Sequence, residues 1–149
     1  MNIYLLLSPY LIAVLIAWFG AHIVKYVIGY IKNEKYDFKT QLFMSGGMPS
    51  SHSTTVVALV TVIGMRDGIG SGLFGLGALF ALIVMYDAVK VRRSSGEQGI
   101  AIQSLIKEQN SKVKLPRAAK GHTPLEVVIG AAFGVLIGIV VFLSTTKLE

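Results

Sequence analysis

The chain has 149 residues, of which 53% are apolar and only 15% charged, against roughly 25% charged in an average soluble domain; a membrane class is therefore the first to test, and disorder or a collagen-like repeat is excluded. There is no cysteine, which removes disulfides, thiolate zinc sites, a cysteine nucleophile and Fe–S clusters together. The net charge of +6 suits anionic lipid headgroups or anionic substrates. Nucleic acid is not a partner on this reading, because no DNA- or RNA-binding motif is present and the basic residues flank apolar stretches instead of forming one arm.

Four apolar stretches predict an all-α fold, a polytopic membrane helical bundle of about four transmembrane helices forming one domain over 1–149. The first, 4–31, is broken at Ser8-Pro9 and carries His22 and Lys25 near its far end. Its first seven residues hold no basic side chain, so it reads as a retained span and not as a signal peptide. The second apolar run, 54–65, is too short to cross about 30 Å of hydrocarbon at about 1.5 Å per residue, so the span is set at 46–65. That places Pro49, Ser50, Ser51 and His52 below the membrane surface, where polar groups persist only against a protein-walled cavity. The third, 69–91, is rich in Gly and Ala and has Asp87 just before its basic end. The fourth, 125–146, contains Gly130 and Gly134 in a GxxxG, a close-packing signal that would serve either a neighbouring helix or a homodimer.

Four spans put the connections 32–47 and 90–121 on one side of the bilayer. Twelve of the 14 basic residues, all except Arg66 and Lys147, fall on that side when counted from Lys25. By the positive-inside rule these basic loops are expected in the cytoplasm and the termini outside, in a multi-pass protein of the plasma membrane.

The unusual polar residues gather at that same end, and ionisable groups at membrane depth ordinarily face a cavity or one another. Lys25, three residues after His22 on one helix face, would hold a phosphate oxygen or else snorkel to the interface; His22 itself suits a satisfied polar core position. In Gly46-Gly47-Met48-Pro49-Ser50-Ser51-His52-Ser53, glycines admit a close ligand, proline suits a first helical position, and the serines add donors to a helix start whose free N–H groups bind anions. His52 would then protonate a leaving oxygen. Asp87 could orient a histidine or pair with Lys90 one turn on, while Arg92 and Arg93 also fit the basic flank of a span. Thr123, Pro124 and Glu126 make a capping box at the start of the last helix. His122 is left over, and could attack phosphorus if a carboxylate, Glu126 or Asp87, held its other ring nitrogen. HExxH, GxSxG and the Walker A pattern are absent, so a zincin, serine hydrolase or NTPase has no support. No cofactor and no metal is expected.

At these residues the chain resembles the divergent branch of the type 2 phosphatidic acid phosphatase and vanadium haloperoxidase superfamily. The resemblance is carried by Gly47-Met48-Pro49-Ser50-Ser51-His52-Ser53, by Tyr86-Asp87-Ala88 followed by Arg92-Arg93, and by Gly121-His122 followed by Pro124 and Glu126-Val127. Against the parent pattern K-x6-R-P, P-S-G-H, S-R-x5-H-x3-D, Lys25 matches the first lysine and Lys32 stands at the arginine position. Pro49-Ser50-Ser51-His52 has serine for glycine, and His122 with Glu126 has glutamate for aspartate. Pro116 occupies the last arginine position with Arg117 one place late, leaving the third phosphate-holding cation open among Arg92, Arg93, Arg117 and Lys120. The resemblance implies metal-independent phosphoryl transfer through a phosphohistidine on His122, with His52 as the acid and Lys25, Lys32, Ser50, Ser51 and the arginines holding phosphate. The parents are usually six-span enzymes whose site faces away from the cytosol, a further departure.

The expected function is a lipid-phosphate phosphatase acting on a phosphomonoester or diphosphate of a phospholipid or polyprenyl lipid. The rival is a non-catalytic protein that binds or transports an anionic lipid or phosphate with the same cations and helix starts.

Overall fold

The computed structural model describes residues 8–33, 46–116, 118 and 121–146, and among them every regular element is helical. Helix α1 (Pro9–Ile31) starts on a proline, a first-position residue whose missing N–H leaves no helical bond unmade. After it come α2 (Ser51–Arg66), α3 (Gly72–Tyr86), a π-helical turn (Asp87–Val91), α4 (Arg92–Glu108) and α5 (Pro124–Thr146). Helix α3, the π turn and α4 run on without a break.

Among the described residues, three helical stretches are long and apolar enough to cross a membrane: Pro9–Ile31, Gly72–Glu108 and Pro124–Thr146. Helix α2, with 16 residues, reaches only about 24 Å, yet it is the centre of the bundle and packs on α1, α3 and α5. Its polarity is absorbed internally. The hydroxyls of Thr54, Thr55 and Thr61 donate to the carbonyls of Ser50, Ser51 and Val57 at 2.9, 2.8 and 2.8 Å, so these three are satisfied within the helix in a medium without water.

The burial pattern is that of a membrane bundle. Small side chains fill the inside, among them Ala13, Ala17, Ala21, Ala58 and Ala81, while Leu11, Phe19, Leu76, Phe80, Leu136 and Val140 face outward. Lipid is as apolar as leucine, so helix association in it depends on close packing instead of on burying large apolar groups. Helix α5 supplies that packing through Gly130, Gly134 and Gly138. A Cβ at these positions would lie 2.7 Å from Ser50 O, 2.5 Å from Thr54 O and 2.6 Å from Thr61 Cβ. The GxxxG face is therefore spent on α2 within the chain.

Local starts and ends differ from the sequence reading in two places. Helix α2 begins at Ser51 with Ser50 as N-cap, so Pro49 precedes the cap and is not the first helical residue; Gly46 and Gly47 lead into it at φ 104° and 83°, backbone that only glycine adopts freely. Residues 92–108, expected within a loop, are helical. Extending an existing helix avoids the cost of a new nucleus, and Arg93 with Glu97 and Gln98 with Ser94 add contacts four residues apart at 3.2 and 3.3 Å. The chain then doubles back, with Gln103 Nε2 donating to Pro116 O at 2.6 Å.

Polar staples close one end of the bundle. Tyr10 donates to Asp67 Oδ2 at 2.7 Å, and Arg66 Nη1 to Thr145 Oγ1 at 3.4 Å. The start of α1 thus meets the ends of α2 and α5, and the opposite end gathers the far half of α1, the starts of α2 and α5, and the end of α3.

Candidate active site

At that opposite end, the segment before α5 is fixed from three sides. His122 N donates to Ala88 O at 3.0 Å, and Ser50 N donates to Glu126 O at 3.1 Å. Gly121 lies against the backbone of Arg93 so closely that a Cβ would fall 2.5 Å from Arg93 Cα. These contacts tie the starts of α2 and α5 to the π turn and bury His122 to 3% exposure.

His122 Nδ1 lies 2.8 Å from Glu126 Oε2. A carboxylate only accepts, so Nδ1 carries the proton and Nε2 is left with its lone pair. The same Oε2 accepts from Thr123 N at 3.3 Å, and Thr123 Oγ1 accepts from Glu126 N at 3.3 Å. The capping box and the histidine clamp are one structure, and Glu126 serves both. Burial pushes the His122 imidazole below the ordinary histidine value; the hydrogen bond it donates to Glu126 offsets part of this, and the Lys25 and Arg92 charges push the same way as burial.

Asp87 pairs with Arg92, Nε to Oδ2 at 2.5 Å, and not with Lys90 or a histidine ring. The π turn explains the choice. Its extra residue per turn, seen in Arg92 N donating to Asp87 O, brings positions five apart onto one face. Arg92 Nη1 then reaches 3.5 Å from His52 Nε2; arginine can only donate, so that ring nitrogen is the acceptor. Asp87 thus anchors the cation that faces His52.

Lys25 is buried to 6% exposure, and its methylenes cross Gly47, where a Cβ would stand 3.5 Å from Lys25 Cδ. Its charge is felt at both His52 and His122. Ser50 is fully buried and its Oγ accepts from Ser53 N and Ser53 Oγ at 3.4 and 3.0 Å, so that hydroxyl caps α2. Ser51 is buried at the first position of α2, where backbone N–H groups have no partner within the helix. His22 is buried one turn deeper than Lys25 and packs edge-on to Trp18 at 4.6 Å between ring centres.

The structure therefore brings together Lys25, Ser50, Ser51, His52, Asp87, Arg92, His122 and Glu126. Two candidates stand apart. Lys32 is exposed at the C-cap of α1, and Arg93 is exposed and paired with Glu97 at 3.2 Å. Arg117, like Lys120, lies outside the described residues. Sequence reading missed the Ala88 carbonyl, which bears no side-chain signal, and the backbone contact that demands glycine at 121.

The arrangement is a cationic cluster built on two helix starts, with one imidazole held through Nδ1 by a carboxylate and a second within electrostatic reach. Residues 6–137 match a family described as the Divergent PAP2 family. The chain is also similar to the uncharacterized membrane protein YuiD of Bacillus subtilis (strain 168), 37% identical over 145 residues, covering 87% of this chain and 91% of that protein. No solved structure matches it.

Proposed function

The chain belongs to the Divergent PAP2 family, a membership that marks it as a phosphatase-related membrane protein, and on that premise we propose that it hydrolyses a phosphomonoester or diphosphate of a membrane lipid. The observation that carries the reading is the buried His122 with Nδ1 clamped by Glu126, because a structural histidine has no need of a fixed tautomer with Nε2 turned loose.

In the proposed reaction His122 Nε2 attacks phosphorus, the bond from phosphorus to the lipid oxygen breaks, and His52 gives that oxygen a proton. Water then attacks the phosphohistidine, His52 takes the water proton, and phosphate leaves with His122 restored. Lys25, Arg92 and the start of α2 stabilise the charge spread over the transferring oxygens. A bound phosphate is a better acceptor for Arg92 than a ring nitrogen at 3.5 Å, so substrate draws the guanidinium away and frees His52 Nε2 to take a proton from solvent. Arg92 fills the role of the third cation that the motif comparison leaves open. By the charge distribution the site faces the cytoplasm at the plasma membrane, where phosphatidate, phosphatidylglycerophosphate and polyprenyl diphosphate are the candidate substrates.

The test is inorganic phosphate release from those three lipids by the detergent-purified protein in EDTA, wild type beside His122→Ala. Release by wild type, reduced by more than about 10³-fold in the variant, is the expected result. Absence of release from every lipid, with headgroup binding intact in both proteins, would replace the enzyme with a lipid-binding or transport protein.

A further inference from the structure

Where a helix passes from five-residue back to four-residue spacing, one carbonyl is left without a helical donor. Arg92 N makes the five-residue bond to Asp87 O, and the next carbonyl, Ala88 O, accepts from His122 N at 3.0 Å. The π turn is thereby pinned to the segment that carries His122. Gly121 pins it again one residue earlier, packed too closely on Arg93 for a Cβ. Asp87 and Arg92 thus project from a backbone held in place against the nucleophile.

Stability does not explain their pairing. The two side chains are 33% and 39% exposed, and ion pairs that open contribute little. The geometry explains it better as orientation. Asp87 Oδ2 accepts from Arg92 Nε at 2.5 Å, which occupies the inner donor of a rigid fork and turns the Nη edge away from the carboxylate. Among the described residues, His52 is the one hydrogen-bond partner on that edge, with Nη1 at 3.5 Å from its Nε2. We infer that Asp87 is a positioning residue of the reaction: acting through Arg92, it holds the guanidinium edge on His52 while the site is empty and keeps that edge in reach of a phosphate that binds. The inference rests on the reading of the site as a phosphate site and adds its regulation. His52 has a free Nε2, able to take a proton from solvent, only after an anion has drawn Arg92 off, and the carboxylate of Asp87 is what sets the resting position.

The experiment uses the full chain in detergent with its three histidines isotope-labelled at the ring nitrogens and read by nitrogen NMR. His52→Gln assigns the His52 signals, and the probe is inorganic phosphate. In the empty wild type, His52 Nε2 should appear as a lone pair accepting a hydrogen bond, and phosphate should move it off that position. In Asp87→Asn the signal of the empty protein should already have left it, while the His122 Nδ1 signal, set by Glu126, stays in place and reports an intact site. Identical His52 signals in the two empty proteins would overturn the proposal. So would a wild-type His52 signal that phosphate leaves unmoved, a result that depends on no variant.

A double-mutant cycle on turnover supplies the second readout. Asp87→Asn should lower kcat at least about tenfold with Arg92 present, the scale of one lost charge-assisted contact. In an Arg92→Gln background the same change should cost less than about twofold, since nothing is left for Asp87 to hold. Equal factors in the two backgrounds would overturn the proposal. The two readings fail separately. A phosphate response at His52 that requires Asp87, without turnover of any lipid, would sink hydrolysis and keep the positioning role, whereas turnover with His52 signals indifferent to Asp87 would sink the positioning role alone.

Discussion

Glu126 does two jobs with one oxygen, and they can be separated. Glutamine keeps a capping-box partner at that position, so Glu126→Gln should change stability by less than about 1 kcal/mol. The amide cannot offer His122 a carboxylate, and turnover should fall by at least about 10²-fold, in the manner of other oriented imidazoles that lose their acid. Thr123→Ala should do the reverse, costing about 1 kcal/mol of stability with turnover largely retained. Thermal melts beside phosphate-release rates decide it, and a fully active Glu126→Gln protein would assign the residue to the helix alone.

The His122 shift sets the sign of the pH dependence. Its value in the folded protein lies below the ordinary 6.5, so the imidazole stays neutral, and nucleophilic, as pH falls through 6.5. The acid limb of the rate profile should therefore lie below that value and move lower still in Glu126→Gln, which removes the hydrogen bond that raises it. Stability follows the same group: it is full above the unfolded value and is lost as pH falls toward the folded one, because only the unfolded chain accepts the proton. The His122–Glu126 pair was legible in the sequence because four residues on a helix start are local geometry. The Asp87–Arg92 pair was not, because its register exists only where the helix widens into a π turn.

At the scale of elements, α1, α3 and α5 are packed around a helix more polar than any of them, α2. Apolarity and length identified the three flanking stretches, and the shortness of the second apolar run implied that its polar start would be enclosed. Which glycines face inward could not be read, since GxxxG looks the same on a dimer face. In the structure Gly134 meets the α2 backbone at Thr54 O and has no room for a Cβ, whereas a Cβ at Gly75 on α3 would meet nothing within 4 Å. Gly134→Ala should therefore destabilise the detergent-solubilised protein by about 1–3 kcal/mol through overpacking. Gly75→Ala should be neutral or stabilise it by up to about 1 kcal/mol through helix propensity. Equal behaviour of the two in thermal or denaturant unfolding would mean that the α2–α5 contact does not carry the bundle.

For the molecule as a whole, one end is stapled by Tyr10, Asp67, Arg66 and Thr145, and the other holds two histidines, the cations and two helix starts. On the proposed reading a phosphate substrate approaches the second end, so orientation decides which leaflet supplies it. The basic residues count toward topology only insofar as they are not there to bind phosphate, and five of the eight described on the site side, Lys32, Arg93, Lys107, Lys112 and Lys114, are exposed and outside the cluster. That leaves enough charge on the site side for the positive-inside rule to act independently of catalysis. With no native cysteine, single cysteines report orientation directly. Gly70, in open space at the stapled end, and Ser95, exposed on α4, mark the two sides. In intact cells a membrane-impermeant maleimide should label Gly70→Cys and leave Ser95→Cys unmodified until the membrane is permeabilised. The opposite pattern would turn the site outward and make outer-leaflet lipid its substrate, without altering the chemistry proposed for His122.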